Sequence, residues 1–294
     1  MKIGLIDVDG HKGHPNLALM RLSAYHRANG DSVAWWNGFE EYDRVYMSKV
    51  FTFTPDIDTV IRAKEVIRGG TGYKIYDSLP EEIESTYPDY SIYPNFKAAI
   101  GFLTRGCIRK CPWCIVPKKE GAIRPAATWE QIKRPDSREI IFLDNNVLAC
   151  EHGLKQIEKM GGQPVWVDFN QGLDARLITD SVADLLARLH WIRFVRMSCD
   201  TEEMLPVVTN AANIMARAGI SPSRFWCYVL VQDVEKAHKI VMGLDRNGIT
   251  PFAQPYRDYD GGEPTKEQKD FARWVNCKQV FRSCSWDEYT RRDK

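Results

Sequence analysis

The sequence predicts an α/β protein: a small Rossmann-like α/β domain followed by a partial (β/α)6, TIM-like barrel. Three observations predict it. Short apolar runs rich in β-branched residues alternate with amphipathic stretches along most of the chain. From residue 139 onward the runs recur at intervals of about 24 to 32 residues, the length of one strand-plus-helix unit. Polar residues collect at the C-terminal ends of those runs, the edge on which barrels of parallel strands carry their sites.

The chain has 294 residues, 44% hydrophobic and 27% charged, which fits globular domains rather than disorder. A net charge of +1 gives no global attraction to polyanions, so contact with nucleic acid or lipid would need a local patch. Lys110, Lys118, Lys119 and Arg124, with Arg105 and Arg109, form one such patch in sequence. The first residues carry too short an apolar run for a signal peptide, and no later run reaches membrane-span length. A cytoplasmic protein is expected, in which the eight cysteines serve as metal ligands or core residues.

In the first domain, residues 1–95 with their connector, Lys2 to Ile6 reads as a buried strand. Pro15 to Asn29 reads as a helix stopped by Gly30. Ser32 to Trp36 and Arg44 to Phe51 read as further strands. Thr54-Pro55 is expected to open a second helix through Ile57, Ile61, Val66 and Ile67, ending at Gly69-Gly70. Asp9-Gly10-His11-Lys12-Gly13 falls where a βα loop should lie, with His11 and His14 as candidate ligand contacts. Residues 71–95, rich in proline and tyrosine, read as a connector.

In residues 96–260 the strand candidates are Ala98 to Leu103, Glu139 to Leu143, Val165 to Phe169, Arg193 to Met197, Phe225 to Val231 and Ile249 to Ala253. Helices are expected after the capping pair Thr128 and Gln131, up to Gly161-Gly162, and over 181–189, 204–218 and 233–244. Parallel crossovers share one hand, so six such units wind toward a barrel. A C-terminal helical extension, 261–294, carries helices from Thr265 and from Ser285, the latter with Glu288 as capping partner.

The polar strand ends are Thr104-Arg105-Gly106, Asp144-Asn145-Asn146, Asn170-Gln171-Gly172, Ser198-Cys199-Asp200, Gln232-Asp233 and the stretch from Gln254 to Asp258. Asp174 and Arg176 follow just beyond the third of them. The first leads into Cys107, Cys111 and Cys114, spaced C-x3-C-x2-C. Three thiolates on one loop can each hold one iron of a 4Fe-4S cube and leave the fourth iron open. The remaining Cys150, Cys199, Cys227, Cys277 and Cys284 are scattered and read as core residues.

The segment Thr104-Arg105-Gly106-Cys107, Cys111, Pro112-Trp113-Cys114 and the run that follows it resemble the cluster loop of radical S-adenosylmethionine enzymes. The resemblance spans Phe96 to about Asp260. It implies that Cys107, Cys111 and Cys114 bind the cluster and that its open iron chelates the amino and carboxylate groups of S-adenosylmethionine. One electron, from a donor such as a flavodoxin or ferredoxin, would then give a 5'-deoxyadenosyl radical that takes hydrogen from an organic substrate.

By the same resemblance the main chain near Trp113 meets the adenine. Asp144, Asn145 and Asn146 stand where relatives carry a G-G-E-like segment for the methionine amino group. Ser198 and Asp200 face the ribose or carboxylate, and Arg176 pairs with the carboxylate. The order of domains is most similar to the subgroup with an N-terminal cobalamin-binding-like domain, to which Gly69-Gly70-Thr71-Gly72 adds a glycine pair. Cobalamin and methyl transfer are therefore also expectations. The absence of cysteines before Cys107 departs from methylthiotransferases. The alternative is a non-catalytic zinc- or iron-sulfur-binding protein contacting nucleic acid through the basic loop. A closed zinc site would need a fourth ligand, and Cys150 or His152 could supply it only through the fold.

Overall fold

The computed structural model describes residues 1–10, 14–259 and 262–291, and the chain divides into two compact units. The first comprises Met1–Ala98 with Tyr259–Gly261, and the second Ala99–Asp258 with Gly262–Lys294. The C-terminal helices thus belong to the second unit. No helix among the described residues is long and apolar enough to cross a membrane.

The first unit contains β1 (Lys2–Asp7), α1 (Leu17–Ala28), β2 (Ser32–Trp35), β3 (Tyr42–Ser48), β4 (Ala63–Gly69) and α2 (Glu81–Glu84). Its sheet has the order β2-β1-β3-β4, and every pairing is parallel. Asn16 caps α1 by accepting from the Leu19 N–H at 3.3 Å, and the helix buries Leu19, Met20 and Leu22. Each such aliphatic side chain contributes about 1.5–3 kcal/mol when fully buried. The chain leaves β1 toward β2, then crosses to the other side of β1 to form β3. The exits of β1 and β3 therefore flank the switch point where doubly wound sheets place ligands.

The helix expected from Thr54 to Gly70 is not formed. Residues 51–62 hold no helix or strand, and Ala63–Gly69 is a strand that pairs Val66 with Val45 and Ile67 with Tyr46. Its apolar residues still reach a core: Ile57, Ile61 and Val66 pack on Ile6, Tyr42, Val45 and Met47. The unpaired edge of β3 offers seven residues of backbone partners, and that long-range pairing outweighs a helical spacing interrupted by Pro55.

The second unit opens with β5 (Ala99–Gly101), β6 (Thr104–Arg105), α3 (Val116–Lys119), β7 (Arg124–Pro125), α4 (Trp129–Ile132), β8 (Glu139–Phe142) and α5 (Glu151–Met160). It continues through β9 (Trp166–Phe169), α6 (Asp180–Ala187), β10 (His190–Trp191), β11 (Val195–Ser198), α7 (Met204–Arg217), β12 (Phe225–Val231), α8 (Val234–Arg246) and β13 (Thr250–Pro255). Three helices, α9 (Lys266–Asn276), α10 (Lys278–Ser283) and α11 (Trp286–Arg291), close it. The expected capping pairs are present at Thr128 with Gln131 and Ser285 with Glu288, and the structure adds a third, Thr265 with Gln268.

The parallel strands of this unit fall into two sheets, β10-β9-β8-β5 and β11-β12-β13, joined among the described residues by one bridge between Leu173 and Met197. Phe142, Val167 and Phe169 share one core with Ile157 of α5, Leu186 of α6, Met215 of α7 and Leu244 of α8. A charged lock also ties the sheets together. Arg196 on β11 grips Asp168 on β9 with two bonds of 2.8 and 2.7 Å, and donates to the Tyr228 hydroxyl on β12 at 3.1 Å. Asn276 of α9 seals β13 by exchanging two bonds of 2.9 Å with Ala253.

The single strand expected over 98–103 is broken. It pairs with β8 over Ala99–Gly101, then bends and resumes as β6, which pairs antiparallel with β7. This two-residue ladder pins both ends of the stretch from Gly106 to Ile123. The cysteines expected in the core divide as well. Cys199, Cys227 and Cys284 are buried, whereas Cys150 is half-buried and Cys277, at the joint of α9 and α10, is exposed.

Candidate functional site at the cysteine loop

Gly106 starts the loop with φ of +85°, and a Cβ there would stand 2.4 Å from the Ala122 carbonyl oxygen. Only glycine allows the two ends of the loop to approach this closely. Arg105 clamps the same neck by a forked pair of bonds to Glu120, at 2.8 and 3.0 Å. Within the loop the Cys114 N–H donates to the Cys111 carbonyl at 3.0 Å. The Cys107 sulfur accepts from the Arg109 N–H at 3.3 Å and from the Asn146 side-chain amide at 3.4 Å. All three thiols are half-buried. No group of three or more His, Cys, Asp or Glu side chains, among the described residues, stands ready at metal-binding separations.

Burial pushes the Cys114 thiol up, and the neighbouring Cys111, Cys107 and Asp200 push it further, against one N–H bond from Val116. Cys111 and Cys107 lie near enough to act on Cys114 electrostatically, and three cysteines on one loop are the donor chemistry of a thiolate-ligated metal or cluster. The donor set therefore fits a thiolate-ligated group. The walls beside it are supplied by the ends of β8, β9 and β11.

After β8, Asp144 is not free for a ligand. Its carboxylate accepts from the Leu103 N–H at 3.1 Å, the Thr104 N–H at 2.5 Å and the Thr104 hydroxyl at 2.7 Å. Burial raises its carboxyl to about 6, despite the hydrogen bonds that oppose the shift. It anchors the strand that enters the cysteine loop. Asn145 accepts from the Gly106 N–H at 3.3 Å and so holds the neck.

Asn146 differs from both. Its side-chain nitrogen donates to Cys107 and, at 3.1 Å, to Asp174, while its Oδ1 has no partner. Among the described residues it is the only buried side-chain oxygen in that state. A buried acceptor without a donor is costly, which makes it a fit for an ammonium.

After β9, Asp174 draws three groups together. It accepts from Arg109 Nε at 2.8 Å, from Asn146, and from Arg176 through Nε at 2.7 Å and the N–H at 3.2 Å. Burial alone would raise its carboxyl, but Arg176 and Arg109 hold it below the usual range. Arg176, expected to meet a carboxylate, is thus already paired, though more than a third of its side chain is exposed. After β11, Asp200 accepts from the Leu230 N–H at 3.1 Å and from the Trp113 side chain. Burial raises its carboxyl, and those two bonds with Arg176 offset part of the rise. Ser198 is exposed.

The structure therefore brings Trp113, Asn145, Asn146, Arg176 and Asp200 into one network with the cysteine loop and leaves Ser198 outside it. Sequence reasoning missed the roles of Asp174, Arg109 and Thr104. Asp174 was legible only as a polar residue beyond a strand, with no local sign of the three donors it accepts from. The expected basic patch is also much reduced: Arg105 and Arg124 close on Glu120, and Arg109 on Asp174. In the first unit Asp9 is consumed by the exit of β3, and His14 is exposed. His11 and Gly13 lie outside the described residues. Gly70 has φ of +95°, and a Cβ there would stand 2.5 Å from the Lys49 carbonyl oxygen, a structural reason for a glycine in the stretch that the resemblance drew on. No protein-family model matches this chain, and no curated protein matches it significantly.

Proposed function

We propose that the chain is a radical S-adenosylmethionine enzyme that binds a 4Fe-4S cluster through Cys107, Cys111 and Cys114 and modifies an unidentified organic substrate. The observation that carries this reading is the partnerless Oδ1 of buried Asn146, on the residue that also donates to the Cys107 sulfur. An acceptor at that place suits the ammonium of an amino acid bound beside the cysteine loop. The chemistry such a group supplies when bound is one-electron cleavage of S-adenosylmethionine, giving a 5'-deoxyadenosyl radical for hydrogen abstraction.

The chain's own residues hold and orient. Gly106, Arg105 and Glu120 close the loop, Asp144 fixes its entry, and Asn146 presents an acceptor. The Trp113 bond to Asp200 ties the loop to the end of β11. Arg176 stays charged beside the thiols, since Asp174, Cys111 and Cys107 raise it against the effect of burial. In this reading the two parallel sheets, hinged at Leu173 and Met197, are the wall of an open barrel whose strand ends face the substrate. A one-electron donor and a cytoplasmic setting accompany the reading, and cobalamin in the first unit remains an extension to test.

Anaerobic reconstitution with iron and sulfide, reduction, and addition of S-adenosylmethionine test the proposal. Methionine and 5'-deoxyadenosine are expected, and alanine at any of the three cysteines abolishes both. A fully loaded, reduced cluster that leaves S-adenosylmethionine intact overturns it. Zinc at one per chain without sulfide after anaerobic purification would favour the binding-protein alternative.

A further inference from the structure

The amide of Asn146 has two possible orientations, and a carboxylate decides between them. Asp174 is held ionised by Arg109 and Arg176, and an ionised carboxylate only accepts. The side-chain nitrogen of Asn146 must therefore face Asp174, at 3.1 Å, and its second N–H reaches Cys107. The oxygen is forced to the opposite side, where the protein gives it no partner. Asp174 is 6% exposed at its side chain, so water does not compete for the contact.

The same carboxylate grips Arg109, two residues past Cys107, whose main-chain N–H is the second donor to the Cys107 sulfur. Hydrogen bonds to a ligating sulfur stabilise added negative charge and raise a cluster's reduction potential. One buried group thereby controls two properties of the loop.

We infer that Asp174 is a positioning residue that sets the orientation of the Asn146 amide, so that its N–H lowers the charge on Cys107 and its Oδ1 receives the ammonium of S-adenosylmethionine. The inference rests on the function proposed above. It assigns to Asp174 a coupling between cofactor affinity and cluster potential that acts through Asn146 and not by contact with the cofactor.

Three reconstituted proteins test it, with iron and sulfide content and thermal melts as controls. The readouts are the cluster midpoint potential, the change in the reduced cluster's electron paramagnetic resonance spectrum on adding S-adenosylmethionine, and the dissociation constant. In Asp174→Asn the new amide can donate to Asn146, which turns its oxygen inward. Binding is expected to weaken about tenfold, the spectral change to shrink and the potential to fall.

In Asp174→Asn/Asn146→Asp the donor and acceptor are exchanged. An oxygen again faces the ammonium, so binding recovers, while Cys107 has lost its N–H and the potential stays low. Recovery of one property without the other is not expected of a residue that only supports the fold. Wild-type affinity and potential in a fully loaded Asp174→Asn protein overturn the inference, as does a folded double variant whose binding does not recover.

Should Asp174→Asn take up no cluster, Asn146→Leu decides, since it removes the amide and keeps the Asp174 ion pairs. Loss of affinity and of potential is expected there, and no change overturns the inference. A wild-type protein that takes up no cluster overturns the proposed function and this inference with it, whereas one that cleaves S-adenosylmethionine isolates failure to Asp174.

Discussion

The exit of β1 in the first unit and the exits of β8 and β9 in the second begin with similar chemistry and end differently. Each places acidic or amide side chains just past a parallel strand. Asp9, past β1, accepts from the Val50 N–H at 2.5 Å and the Thr54 hydroxyl at 2.5 Å, so it ties down the exit of β3. Asp144 is equally consumed, by Leu103 and Thr104. Among the described residues Asn146 alone keeps a buried side-chain oxygen unspent, because Asp174 and Cys107 take both of its N–H groups. A polar strand end is thus a site only where the hydrogen-bond accounting leaves a group over.

The largest test of this contrast is at the neck of the loop. Gly106→Ala forces a side chain onto the Ala122 carbonyl and should abolish cluster loading in the second unit, read as iron and sulfide per chain. The equivalent change at Gly70 should leave loading intact, since it disturbs only the exit of β3. Equal loss in both would break the distinction between the two exits.

Next in size is Asp144→Ala, which strands two buried N–H groups and the Thr104 hydroxyl. A loss of about 3–5 kcal/mol is expected in denaturant unfolding. The pH dependence gives the same residue a second signature. Its folded carboxyl, at about 6, lies above its ordinary 3.8, so the folded state binds the proton more tightly. That contribution is complete below 3.8 and is lost as pH rises through about 6. Relative to wild type, Asp144→Asn should therefore gain up to about 3 kcal/mol in stability between pH 4 and pH 6. Asp174 has the opposite sign: its lowered carboxyl stabilises the fold above the ordinary carboxylate range and ceases to do so as pH falls. A flat difference between wild type and Asp144→Asn would show that burial does not set the titration of Asp144.

Asp9→Ala should cost about 1–2 kcal/mol, confined to the first unit, with cluster content unchanged. The smallest effect is expected at Ser198. Its side chain is exposed, so Ser198→Ala should hold stability within about 0.5 kcal/mol. A loss of S-adenosylmethionine affinity in that variant would place Ser198 among the cofactor contacts of the proposed function.

Much of this protein is determined by its sequence alone: the alternation of strands and helices, the capping pairs at Thr128, Thr265 and Ser285, and the placing of three cysteines just beyond a strand. These features depend on residues within about four positions of one another, where periodicity and capping act. The tertiary structure alone decided that Ala63–Gly69 pairs with β3 instead of coiling, that the later strands divide into two sheets, and which polar groups remain unspent. The bonds that settle the last point join residues 28 to 65 positions apart. A buried group's partners are set by where the chain returns, and no local pattern encodes that return.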